Sequence, residues 1–252
     1  MMGLLTAQAA TTLVATAWEG LVLAGLVAAT LRILPGIAAA ARSMVWTAAM
    51  VAVCALPVLH RVCGANTTTT RVVLGDQVAV ALIAAWLGMS VWRGTQLLRS
   101  AVWLQGVWRR AVVIGDADQS QPRLAGSMLR KATNPPVCLS DEIDRPCVVG
   151  FCAPRILIPT SLWGRLSPEQ LQQIVLHETA HLGRADDWIN LLQKLSLVAF
   201  PLNPVLLWIE RELCIERELA CDDQVLKATG ARRAYAACLT NLAEHRLLQR
   251  GV

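Results

Sequence analysis

The chain has 252 residues, 55% of them apolar and only 16% charged, with a mean hydropathy of +0.47 and a formal net charge of +5. Soluble chains carry roughly 25% charged residues, so this composition points to a membrane protein and excludes a disordered chain; eight cysteines over such a length also exclude a small disulfide scaffold. The basic residues form no dense block interleaved with aromatics, so direct nucleic-acid binding is not expected.

Three apolar stretches, at about 13–34, 43–59 and 77–95, occupy the first 108 residues. Each approaches the ~20 residues needed to cross a hydrocarbon core, the third only if Arg93 snorkels. No basic region precedes Leu13, so a retained helix is expected rather than a cleaved signal peptide. Arg93 near the end of the third stretch and Arg99, Arg109 and Arg110 beyond it put, by the positive-inside rule, the C-terminal region in the cytoplasm and the N-terminus outside. The expected organisation is a membrane domain over 1–108 and a cytoplasmic domain over 109–252.

From Ala111 the texture changes to short β-rich runs broken by Gly and Pro, at 111–115, 136–140, 147–150 and 155–159, which read as strands. The last two are linked by four residues and suggest a hairpin. Ser167, Pro168 and Gln170 then supply an N-cap, a first-turn proline and the third-position partner of a capping box, so a helix starts there and runs to about Gly183, expected to be the left-handed terminating residue. Residues 188–208 have Lys194 as their only charge and are interrupted by Pro201 and Pro204. A membrane-associated hairpin over about 188–210 is expected, bent near 200–204. A charged helix to Thr229 and a last helix over 231–250 follow.

The chemistry lies in His177-Glu178-Thr179-Ala180-His181, inside the helix opened by Ser167. Residues four apart share a helical face, so both imidazoles can ligate one Zn²⁺ per chain while Glu178 acts as general base on a water. A third histidine in the metzincin pattern would need Gly at 184 and His at 187, where this chain has Arg184 and Asp187. The third ligand is then a downstream carboxylate among Glu210, Glu212, Glu216 and Glu218. Glu218 is preferred because Asp222, four residues on, can orient a ligand imidazole. Pro146, Cys147, Val148, Val149 and Gly150 form a candidate edge strand for an extended substrate, and Tyr235 is a candidate oxyanion donor. No cysteines form a CxxC pair, and His60 and His245 stand alone, so neither group is read as a metal site. The expected fold is a multi-span α-helical membrane protein with an α+β cytoplasmic zincin-like metalloprotease domain of the HExxH, gluzincin type.

HETAH followed by Leu182-Gly183-Arg184-Ala185-Asp186 resembles the HExxHxxRxD signature of the membrane metallopeptidases related to the BlaR and MecR beta-lactam sensors. Residues 200–204 (FPLNP), 218–222 (ELACD) and the prolines at 146, 154 and 159 with Gly150 resemble further motifs of that family. The resemblance implies His177, His181 and Glu218 as ligands, Glu178 as base, and Asp222, Arg184 and Asp186 as supports behind the ligands. The sequence closes at Val252 without the sensors' penicillin-binding domain, so beta-lactam sensing is not implied. What is implied is a zinc endopeptidase of the bacterial inner membrane, acting in signal transduction on a cytoplasmic or juxtamembrane protein, an antirepressor-like role with a transcriptional repressor among the candidate substrates and a separate sensor protein as a candidate partner. The alternatives are a catalytically silent membrane adaptor and a housekeeping protease of the HtpX or CAAX-processing type.

Overall fold

The computed structural model describes residues 2–62, 75–114 and 135–250. They form two compact units, one of residues 1–98 and 189–219, the other of residues 99–188 and 220–252. The unit boundaries fall inside helices, so the segment 189–219, expected within the C-terminal domain, groups with the N-terminal helices.

In the first unit, α1 (Met2–Ile33), α2 (Ala39–Val62) and α3 (Asp76–Arg110) are the long apolar helices. Three spans within them, Ala10–Ile33, Ala39–His60 and Asp76–Arg110, are long and apolar enough to cross a membrane by length and composition. The third helix runs fifteen residues past the expected end at 95, because arginines end an apolar run without ending a helix. Gly20 lets α1 and α2 approach closely, since a Cβ there would sit 3.1 Å from the Val53 side chain. α6 (Asp186–Ala199) and α7 (Pro204–Thr229) are separated by residues 200–203. Pro204 opens α7, where its missing N–H costs nothing, and the Asn203 side chain accepts the Val205 N–H at 3.0 Å. The core joins Trp46, Met50 and Val53 of α2 to Leu197, Leu206, Ile209 and Leu213 of α6 and α7. Lys194 is not left as a bare charge in its apolar segment: it pairs with Glu210 of α7 at 2.5 Å.

The second unit is α+β. Strands β1 (Val112–Val113), β2 (Val137–Ser140), β3 (Cys147–Val149) and β4 (Arg155–Pro159) lie in the order β1-β2-β4-β3, with β2 and β4 parallel and the other pairs antiparallel. The alternation of β4 sorts its side chains. Ile156 and Ile158 pack with Leu171, Ile174 and Val175 of α5 (Pro168–Gly183) and Cys238 of α8 (Arg232–Arg250), while Leu157 packs with Val107, Cys138 and Val149 on the other face. The turn joining β3 to β4 requires Gly150: its φ is +112°, and a Cβ would lie 2.6 Å from the Ala153 carbonyl. A short helix α4 (Thr160–Trp163), absent from the expectations, follows β4 directly.

At the start of α5 the capping box is formed in both directions, Gln170 N–H to Ser167 Oγ at 3.3 Å and Ser167 N–H to Gln170 Oε1 at 3.0 Å. Its end corrects the expectation. Gly183 is still helical, and the left-handed residue is Ala185, at φ 55°. A left-handed non-glycine residue costs roughly 1–2 kcal/mol, and here it reverses the chain within two residues so that Asp186 opens α6 and returns to the histidine helix.

Candidate metal centre

The HExxH residues lie on the last two turns of α5, a helix fixed at its start by the capping box and along its apolar face by the sheet. His177 and His181 lie one turn apart and meet edge to face, with ring centroids 4.9 Å from one another and an interplanar angle of 74°. What gives the pair its chemistry is the setting of each Nδ1.

His181 Nδ1 lies 2.8 Å from Asp186 Oδ2, and Asp186 is only 4% exposed. His177 Nδ1 lies 3.0 Å from the Tyr235 hydroxyl and 3.1 Å from Asp222 Oδ1. An ionised carboxylate can only accept, and the Tyr235 hydroxyl gives its own proton to Asp222 at 2.6 Å. Both imidazoles are therefore assigned as the tautomer with the proton on Nδ1. Burial by itself would raise the pKa of Asp222, but the hydrogen bonds from His177 and Tyr235 outweigh it and hold the carboxyl below its ordinary value. Burial and then the bond to Asp222 push the Tyr235 phenol well above its ordinary value, so it remains a donor.

With both Nδ1 atoms protonated, each Nε2 is an acceptor, and the two Nε2 atoms face one another across 3.2 Å. Lone pairs converging at that distance call for a positive charge between them. Two nitrogens at about 2.0–2.1 Å from one tetrahedral ion lie about 3.3 Å apart, so the donor set fits a metal ion. A second convergence lies on the other side of the His181 ring, where His181, Asp186 and Cys221 bring their ligand atoms within 4.8 Å of one another. There Cys221 Sγ is 3.3 Å from Nδ1 and 3.8 Å from Asp186 Oδ2. Because Nδ1 carries the proton, this second group holds the ring from behind.

Arg184 extends the same support, its Nε lying 3.4 Å from Asp186 Oδ2. Glu178 is buried on α5, 8% exposed, near enough to β3 that its charge helps raise the Cys147 thiol to about 12, after the larger effect of burial. Residues 146–150 include β3, an edge strand with β4 as its only partner in the described sheet. Glu218 sits on α7, three residues before Cys221 and four before Asp222, hence on the same face of that helix. Tyr235 is 4% exposed and donates its hydroxyl proton to Asp222, on the Nδ1 side of His177. Cys221 is a residue of the site that the sequence reading passes over, since no CxxC pair marks it. Its spacing of three from Glu218 and one from Asp222 was the available signal.

An HExxH helix whose histidines are both held through Nδ1, in an α+β unit beside an edge strand, defines the candidate metal centre of a peptidase. The chain belongs to the BlaR1 peptidase M56 family, whose model matches residues 9–249. It is 31% identical over 88 residues to the regulatory protein BlaR1 of Bacillus licheniformis, covering 35% of this chain and 14% of that protein. It is also 30% identical over 91 residues to the methicillin resistance mecR1 protein of Staphylococcus aureus strain Mu50, covering 36% of this chain and 16% of that protein. The aligned regions thus take in less than a fifth of either relative's length.

Proposed function

We propose that this chain is a zinc-dependent endopeptidase of the bacterial inner membrane, a gluzincin-type zincin with its N-terminus outside and its catalytic unit cytoplasmic, cleaving a cytoplasmic or juxtamembrane protein in signal transduction. The observation that carries the reading is the pair of Nε2 atoms 3.2 Å apart, with both Nδ1 atoms anchored. His177 and His181 are two of the ligands. Glu218 is the third, because the face of α7 that sets Cys221 against His181 and Asp222 against His177 also carries Glu218 one turn earlier. Asp186 and Asp222 orient the two imidazoles, and Arg184 and Tyr235 hold those carboxylates in place.

A zinc ion held by this set would polarise a scissile carbonyl and acidify a water. Glu178, beside His177 on α5, takes that water's proton and passes it to the leaving amine. The substrate lies extended along β3, its backbone completing the open edge. The relatives' printed names, a regulatory protein and a resistance protein, support a role in signalling, and a repressor as substrate and a separate sensor as partner are part of this proposal.

Metal analysis of detergent-purified protein tests it. His177→Ala, His181→Ala and Glu218→Ala are expected to lose zinc, and Glu178→Gln to retain it while losing peptide hydrolysis. Comparison of proteomes from cells carrying the wild type or Glu178→Gln then identifies the substrate, and stoichiometric zinc in His181→Ala would overturn the reading.

A further inference from the structure

We infer that the ion pair between Arg42 and Glu216 is a positioning clamp, through which α2 sets the rotation of α7 and so the presentation of Glu218. The inference rests on the reading of Glu218 as the third ligand. Arg42 lies in the first turn of α2, and its Nη2 is 2.5 Å from Oε1 of Glu216, a carboxylate only 2% exposed. Glu216 Oε2 and Arg42 Nε are buried with no hydrogen-bond partner among the described residues, so this single contact is what holds the carboxylate. A buried ion pair is rarely a net gain over an apolar pair, and its best attested use is to fix register.

The clamp lies on a defined face. At about 100° per residue, Ile209, Leu213 and Glu216 form one stripe of α7, and the first two are fully buried in the cluster containing Trp46 and Met50 of α2. Glu218, Cys221 and Asp222 centre on the opposite side, about 170° away by the same helical step. Apolar packing on the first stripe is not directional, whereas a buried charge has one low-energy partner and so fixes register. A rotation of about 20° would sweep a side chain about 6 Å from the helix axis through about 2 Å, far beyond the ~0.2 Å tolerance of a metal ligand. Arg42 and Glu216 are therefore positioning residues for Glu218.

Zinc affinity is measured on the full chain in detergent by competition with a chromophoric chelator, together with the visible spectrum of the Co²⁺-loaded protein. Arg42→Glu and Glu216→Arg are each expected to weaken zinc binding at least about tenfold, the loss typical when a residue that orients a ligand is removed, and to alter the Co²⁺ bands. The double variant Arg42→Glu/Glu216→Arg is expected to restore both. Arg42→Lys, which keeps the charge, is expected to stay near wild-type affinity should a single reversal fail to fold. Unchanged affinity and spectrum in the single variants, or loss that the double exchange does not restore, overturns the clamp. Glu218→Ala separates the two readings: if it retains zinc, the ligand assignment itself has failed, and if it loses zinc while the charge variants do not, only the clamp has.

Discussion

Replacing Asp186 by Asn isolates the charge behind His181 while keeping its shape. In the wild type, Oδ2 accepts the His181 Nδ1 proton at 2.8 Å from a carboxylate 4% exposed. Asparagine can still accept that proton through its carbonyl, so the tautomer and ring position persist and no cavity opens. What is lost is the difference between a charged and a neutral acceptor, about 1–1.5 kcal/mol. The expected result is a loss of zinc affinity of about tenfold, at the lower end of the 10–100-fold range for partners behind a ligand. Asp186→Ala should lose more, because only the weakly accepting Cys221 sulfur, 3.3 Å from Nδ1, then remains for the proton and Arg184, 3.4 Å from the carboxylate, loses this contact. Chelator competition at fixed pH, with circular dichroism to establish folding, measures both. Wild-type affinity in Asp186→Asn, in a protein whose His181→Ala variant loses zinc, would refute the argument that the carboxylate works through the imidazole.

Glu178→Gln should keep zinc and lose hydrolysis by about 10²–10⁴-fold, the scale of a removed general base, as read with a peptide substrate once one is known. Tyr235→Phe removes the donor to Asp222 and should weaken zinc binding several-fold; an oxyanion donor would instead keep affinity and lose about 10²–10³ in turnover, so the two assays together decide its place. Cys147, raised to about 12 by burial and then by the Glu178 charge, should be alkylated at pH 8 far more slowly than exposed Cys152, measured by mass spectrometry. Because its folded pKa lies above the unfolded value, its contribution to stability is complete below about pH 9 and is lost as the pH rises toward 12. Ala185→Gly should stabilise the fold by up to about 1 kcal/mol by relieving a residue at φ 55°, read as a higher melting temperature, whereas Ala185→Val should lower it.

The elements and the family were legible in the sequence because their signals are local. A capping box needs only Ser167 and Gln170, a strand needs a short β-rich run, and HETAH needs one helical turn. The bend at 200–203 falls where Pro201 and Pro204 deny the helix its N–H groups. What tertiary structure decided depends on residues far apart in the chain. Strand order placed β4 between β2 and β3 and left β3 at the edge, which no strand's own composition specifies. Ala185 rather than Gly183 took the left-handed conformation because Asp186 must return to His181, a demand that outweighs intrinsic preference. Tyr235 and Cys221 acquired their places only when α8 and α7 brought them to the backs of the histidine rings. The sequence by itself determined which residues can bind and move protons, since that is fixed by side-chain chemistry; which nitrogen of each histidine faces a metal was decided by the tertiary structure, since a ring is oriented by whatever packs behind it.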